Sequence, residues 1–98
     1  MRIWKFPLWL NDHLVIEVPE GARFLSVQVQ DGALCLWALV DPNAKKRRWH
    51  FHWVGTGQEI PEDIGYTDGD SYIATTQFGP LVFHLFHSGY EITADEAQ

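Results

Sequence analysis

Hydrophobic and polar residues alternate with a period of two along most of the chain, the pattern of strands with one buried face. The third of the predicted strands should place Leu25, Val27 and Val29 on one face, with Phe24 out of phase. No stretch shows the spacing of a long amphipathic helix. The pattern predicts seven strands, over residues 2–6, 13–18, 23–30, 33–40, 47–54, 71–78 and 81–87.

Turn signals separate these strands and indicate an antiparallel arrangement. Asp31-Gly32 lies between two apolar runs and predicts a type I′ hairpin, because glycine accepts the positive φ of that turn. The strand after it, 33–40, is apolar throughout, so we expect both its faces to be covered. The fold class is therefore all-β: a small sandwich or partly open barrel of about seven short, mostly antiparallel strands. We expect one β domain over 1–90, followed by an acidic C-terminal tail over 91–98.

The composition adds a surplus of aromatic residues to this picture. The 98 residues include five Trp, six Phe and three Tyr, more aromatic surface than so small a core easily hides. We expect Trp37 and Leu85 to lie in the core. Because exposed rings and open strand edges need covering, we also expect a homo-oligomer.

Charge and targeting features exclude several partners. The formal net charge of −6 argues against a long nucleic acid as the partner. No signal peptide or membrane-spanning stretch is visible. The lone Cys35 lies in an apolar run, which predicts a buried thiol and fits a reducing cytoplasmic location. We expect no membrane association.

The histidine pattern offers one metal-site hypothesis. His50 and His52 alternate on one strand and should point the same way, and His84 on another strand could be a third ligand. A cupin-like metal site would also need a glutamate about four residues after the second histidine, where this chain has Thr56. We therefore keep a cupin-like metal-binding protein only as an alternative. No motif for catalysis is present, so we expect no catalytic residue and no cofactor.

A ligand site is the better hypothesis. Arg47 and Arg48 close a basic run that begins at Lys45, and arginines bind phosphate through paired hydrogen bonds. Neighbouring tryptophans could stack on a base, and a glycine turn after the strand could bring backbone N–H groups to an anion. The candidate ligand-binding residues are Arg47, Arg48, Trp49, Trp53, Gly55, Thr56 and Gly57.

Several stretches resemble a family of small bacteriophage and prophage proteins of unknown function. They are RIWKFPL, VPEGARFLSVQVQDGALCLWALVDP, VGTGQEIP and YIATTQFGPLVFHLF, which together extend from Arg2 to Phe86. No catalytic motif comes with this resemblance.

A phage origin would imply an anti-defence role in the cytoplasm of a host bacterium. Compact all-β phage proteins without enzyme motifs include inhibitors that capture an immune signal between protomers. The resemblance therefore implies a non-catalytic protein that sequesters a nucleotide-derived signal, of the cyclic oligonucleotide or cyclic ADP-ribose type. An alternative is an interaction module that docks on a host protein, or a minor structural protein.

Overall fold

A computed structural model describes residues 1–64 and 71–96, without the side chain of Asp63. Seven antiparallel strands form this part of the chain. A short 3-10 helix, Glu62–Ile64, follows the fifth strand. The predicted all-β fold is thus confirmed. The strands are β1 Arg2–Pro7, β2 His13–Pro19, β3 Arg23–Gln30, β4 Ala33–Val40, β5 Lys46–Gly55, β6 Tyr72–Phe78 and β7 Leu81–Tyr90.

The strands form two sheets that pack face to face. The three-stranded sheet has the order β1-β4-β3, and the four-stranded sheet has the order β2-β5-β7-β6. Each sheet has one apolar face, so burying the two against each other removes both from water. In the part of the chain that the structure describes, no helix is long and apolar enough to cross a membrane.

The hairpin between β3 and β4 has the predicted turn. Asp31 and Gly32 have φ angles of 51° and 79°. Two consecutive positive φ values are the signature of a type I′ turn, which matches the twist of the flanking strands.

Large side chains from both sheets fill the space between them. Phe51, Leu36 and Leu85 are fully buried there. Leu85 is therefore a core residue, as predicted. The core cluster contains Leu8, Leu14, Val18, Val27, Leu34, Leu36, Ala38, Val40, Trp49, Phe51, Trp53 and Leu85.

A β-bulge changes the predicted faces of β3. The pairing of β3 with β4 shifts register between Phe24 and Ser26. The ring of Phe24 consequently enters the core, whereas 43% of Leu25 is exposed. The prediction that Leu25 shares the face of Val27 is wrong, because the extra residue in the bulge changes the alternation.

The outer face of β4 is only partly covered, contrary to expectation. Trp37 and Leu39 lie on this face and are partly buried, and Ile3, opposite Leu39 on β1, is 62% exposed. Trp37 is thus not part of the core between the sheets, because β4 is the middle strand of a sheet with only one packed face. Cys35 is buried, as predicted.

A second, smaller cluster covers part of the outer face of the four-stranded sheet. Val54 and Phe86 point away from the core, and Ile60 and Ile64 of the loop after β5 pack on them.

Candidate functional site

The first predicted cation, Arg47, lies in a buried ion-pair cluster. Its guanidinium donates to both carboxylate oxygens of Glu96, at 2.5 Å for the Nη2–Oε2 pair, and to Glu20 at 3.4 Å. It also lies over the ring of Tyr90, 5.2 Å from the centroid, and the Tyr90 hydroxyl donates to Glu20 at 2.9 Å. Only 7% of the Arg47 side chain is exposed. This guanidinium holds the C-terminal segment against β5. Together with Arg48, it also lines a cavity of about 290 Å³, whose other described lining residues are Lys45, Lys46, Glu91, Ile92 and Thr93.

The cluster shifts the pKa values of its members in the directions that this pairing demands. Hydrogen bonds from Arg47 and Thr93 lower the pKa of Glu96 to about 2. The same carboxylate raises the pKa of Arg47. A hydrogen bond to Glu20 raises the pKa of Tyr90. The first two shifts favour the charged carboxylate and guanidinium, and the third favours the protonated phenol that donates to Glu20.

The second predicted cation, Arg48, is exposed but also paired. Its Nε donates to Glu91 at 3.0 Å, and the same carboxylate oxygen lies 2.8 Å from Nε2 of His50. The hydrogen bond from Arg48 is the main reason that the pKa of Glu91 is lowered. Alternation along β5 directs Arg47 and Arg48 to opposite faces. The C-terminal segment thus supplies a carboxylate to each of them.

The two predicted stacking residues, Trp49 and Trp53, are core residues. They are 7% and 6% exposed, and their indole N–H groups donate to backbone carbonyls of Val18 at 3.1 Å and of Trp9 at 2.8 Å. These bonds satisfy the one polar atom of each ring, so both tryptophans are anchored in the core.

Trp49 nevertheless lines a cavity at one end of the space between the sheets. The cavity, of about 400 Å³, is hereafter the aromatic cavity. Trp49 meets Phe24 at 5.0 Å and His87 at 5.5 Å between ring centroids, both edge to face. The cavity is lined by Ala22, Arg23, Phe24, Trp49, Tyr72, Ile73 and His87.

Arg23 is the one arginine or lysine among the described residues that line this cavity. It is the first residue of β3 and is exposed. Tyr72 also lines the cavity, although its ring packs on Phe86 and its hydroxyl lies 2.6 Å from Thr75 on the outer face. Sequence reasoning missed Arg23 and His87. In the sequence, Phe24 differs from its neighbours only in being out of phase in an otherwise regular strand.

The predicted glycine turn lines a different cavity, of about 280 Å³, on the outer face of the four-stranded sheet. Gln58 N–H donates to the carbonyl of Gly55 at 3.0 Å, and the Gln58 side chain accepts from Gly55 N–H at 2.8 Å. Gly57 has a φ of 88°, which favours glycine. This turn cavity is lined by Val54, Gly55, Thr56, Gly57, Gln58, Ile60, His84 and Phe86.

The three histidines of the metal hypothesis do not form one cluster. His50 and His52 face a cavity of about 360 Å³ together with His13 of β2. His84 is part of the turn cavity, on the far side of Phe86. Among the described residues no group of three or more His, Cys, Asp or Glu is placed to hold a metal ion. The structure therefore does not support the alternative metal set His50, His52 and His84.

His13 is the neighbour of His50 and His52 that sequence reasoning missed. The ring centroids of His50 and His52 lie 4.8 Å and 5.0 Å from the ring centroid of His13, with interplanar angles of 16° and 10°. His13 Nε2 is 2.6 Å from His50 Nδ1. Even with His13 added, the described histidines form no group of three that could hold a metal ion. The pairing of β2 with β5, which brings His13 opposite His52, is not visible in the sequence.

The predicted ligand residues are thus not brought together: the arginines are paired with carboxylates, Trp49 lines the aromatic cavity, Trp53 is in the core, and the glycine turn lines the turn cavity. In the comparison with known proteins, the model of a family described as a domain of unknown function (DUF7352) matches residues 1–94. No curated protein and no solved structure matches the chain.

Proposed function

Since the chain belongs to the DUF7352 family, a family of unknown function, we propose its role from its own residues: it is a non-catalytic protein that binds a small nucleotide-type anion. One observation carries the proposal. The aromatic cavity between the sheets has one arginine, Arg23, among its described lining residues. We place the ligand there rather than at Arg47 and Arg48, which are paired with carboxylates.

The walls of the aromatic cavity suit a planar ring. Phe24, Trp49 and His87 contribute π-systems, and stacking of a base on an aromatic side chain contributes about 1–3 kcal/mol. A cavity of about 400 Å³ lies within the range of sites that bind small molecules. Arg23 would pair with the phosphate, because a guanidinium offers two parallel donors to an anion.

The described lining residues support binding without turnover. The described residues around the cavity are Ala, Arg, Phe, Trp, Tyr, Ile and His, and none of them is Ser, Thr, Cys, Lys, Asp or Glu. These residues supply no alcohol, thiol or carboxylate nucleophile of the usual kind. Sequestration of the ligand is therefore the role that fits them.

The resemblance to phage and prophage proteins specifies the proposal further. We take the ligand to be a nucleotide-derived immune signal, a cyclic oligonucleotide or a cyclic ADP-ribose derivative. The protein would then act in the host cytoplasm as an anti-defence factor that lowers the free concentration of this signal.

Thermal shift and calorimetry with a panel of cyclic nucleotides and cyclic ADP-ribose derivatives test the proposal. A ligand present at about a hundredfold its Kd stabilises the fold by about 2.7 kcal/mol, which raises the Tm by more than about 10 °C in a domain of this size. The ligand should be recovered intact by mass spectrometry after incubation.

Two arginine variants locate the site. Arg23→Gln should weaken binding by about tenfold to a hundredfold, because hydrogen bonds to charged groups contribute roughly 1.5–3 kcal/mol. Arg48→Gln should leave binding unchanged, and Arg2→Gln is the matched control on an exposed arginine of β1. Normal ligand binding by Arg23→Gln, or loss of ligand binding in Arg48→Gln, would show that the site lies away from the aromatic cavity. If no compound of the nucleotide panel binds, the proposal is refuted.

A second candidate function, a protein interaction module, is favoured by the outer face of the three-stranded sheet. Ile3, Trp37 and Leu39 leave apolar surface there. The strands β1, β3 and β4 contain no Asp or Glu, and Lys5 lies over the Trp37 ring on this face, although the chain as a whole is acidic. This face therefore suits a partner with an acidic, partly apolar surface.

Aspartate variants test this second candidate. Ile3→Asp should abolish capture of a host protein, whereas the wild-type protein and the Leu81→Asp variant should both retain capture. Leu81 is also exposed, at 55%, but it lies on β7. Equal capture by all three proteins would argue against the face. Sedimentation velocity of the same proteins reports whether the partner is instead a second copy of the chain.

A further inference from the structure

A chain of hydrogen bonds on the outer face of the four-stranded sheet connects two threonines through one imidazole. His84 Nε2 lies 2.8 Å from Thr56 Oγ1, and His84 Nδ1 lies 2.8 Å from Thr75 Oγ1. Thr75 Oγ1 is also 2.6 Å from the Tyr72 hydroxyl. Both ring nitrogens of His84 are therefore held by hydroxyl groups, each of which can donate or accept a hydrogen bond.

The turn cavity beside this chain has an apolar floor and a polar wall. Val54, Ile60 and Phe86 form the floor, and Thr56 and His84 provide the polar wall. None of the described residues that line the cavity is Asp or Glu. In a protein of net charge −6, this makes the cavity a place where a negative group meets no lining carboxylate.

Protonation of His84 would reverse one of its two hydrogen bonds. A neutral imidazole has one N–H and therefore donates to only one of the two threonines. An imidazolium donates to both, so each threonine oxygen accepts and its O–H is released to donate elsewhere. The Thr56 hydroxyl could then donate into the cavity, towards an anion that the imidazolium also attracts.

We propose that the turn cavity is a second ligand site, for a small carboxylate with an apolar body, and that binding there draws a proton onto His84. The carboxylate accepts from the Thr56 hydroxyl next to the imidazolium, and the apolar body covers Val54, Ile60 and Phe86. Binding and protonation are then reciprocally coupled, so that each favours the other.

The titratable and charged groups around His84 lie on three parts of the chain. On β6 the facing group is the Tyr72 hydroxyl, reached through Thr75. On β5 it is His52, which lies opposite Phe86 and bonds Ser88 at 2.8 Å. Glu59 and Glu62, on the loop after the turn, are exposed. Imidazole is the side chain that changes charge between about pH 5 and 8.

Benzoate is a direct probe, and benzyl alcohol is its neutral counterpart. At pH 5.5, benzoate should shift the imidazole NMR signals of His84, and its affinity should fall by about tenfold per pH unit once the imidazolium is lost. Benzyl alcohol should bind weakly at every pH. Equal binding of the two probes at pH 5.5 would show an apolar pocket only and overturn the proposal.

Three variants separate the parts of the argument. His84→Gln keeps a hydrogen-bonding side chain without a titrating group, and should bind benzoate weakly and independently of pH. Thr56→Val should weaken benzoate binding at least tenfold at pH 5.5, whereas Thr76→Val, on the same strand as Thr75, should not. A pH dependence that persists in His84→Gln would refute the proposal. Nucleotide binding at Arg23 is measured separately, so either proposal can fail alone.

Discussion

At the scale of single residues, burial explains the difference between the expected and observed roles of Arg47. A guanidinium removed from water must be paired, because an unpaired buried charge costs several kcal/mol. Glu20 and Glu96 provide that pairing, and Tyr90 covers the guanidinium. The basic run seen in the sequence could not reveal this, since Glu96 is 49 residues away along the chain.

The low pKa of Glu96 predicts how acid affects stability. The carboxyl has a pKa of about 2 in the fold and an ordinary value near 4.5, so the folded state binds fewer protons between these values. The stabilisation is complete above about pH 4.5 and is lost as pH falls towards 2. We expect Glu96→Gln to flatten the dependence of unfolding free energy on pH over this range, measured by urea denaturation at several pH values.

Asp95→Asn is the matched control for this experiment. It removes the same charge from the adjacent exposed residue, so it should retain the slope of the wild-type protein between pH 2 and 4.5. A slope that is equally reduced in both variants would show a general effect of net charge rather than the pair with Arg47.

At the scale of strands, the sequence contains the elements but not their partners. Alternation and turn signals predicted all seven strands, and Asp31-Gly32 predicted the turn that joins β3 and β4. The bulge after Phe24 was not predictable, because it depends on how β3 pairs with β4. The neighbours of β5 are also a tertiary property, which is why His13 was missed and the burial of Trp49 and Trp53 was underestimated.

The two faces of a strand predict different costs for two large-to-small substitutions. Leu85 is fully buried between the sheets, so Leu85→Ala should reduce the free energy of unfolding by about 2–5 kcal/mol. Trp37 lies on the outer face of β4, with Lys5 over its ring at 5.8 Å, so Trp37→Ala should cost only about 1–2 kcal/mol. Urea denaturation of both variants measures these values, and a greater loss for Trp37→Ala would indicate that this face is covered in solution.

At the scale of the whole molecule, charge is segregated between strands and connections. Glu17 is the one acidic residue within the seven strands, whereas the chain contains thirteen acidic residues. Two of them, Glu91 and Glu96 of the C-terminal segment, form ion pairs with arginines of β5, the most basic strand. Both arginines of the strongest positive run are therefore paired within the fold, which local charge along the sequence does not reveal.

This segregation predicts that the positions of the acidic residues, rather than the net charge of the protein, control binding to polyanions. The double variants Glu91→Gln/Glu96→Gln and Glu59→Gln/Asp95→Asn each remove two negative charges from the formal charge of −6. Only the first unpairs Arg48 and most of the Arg47 contacts, so it should elute from heparin at a higher salt concentration. The second should elute with the wild-type protein, because its charges lie apart from the ion pairs on β5. Co-elution of the two variants would mean that the C-terminal carboxylates do not shield the basic run, and the ligand site at Arg47 and Arg48 would then merit renewed testing.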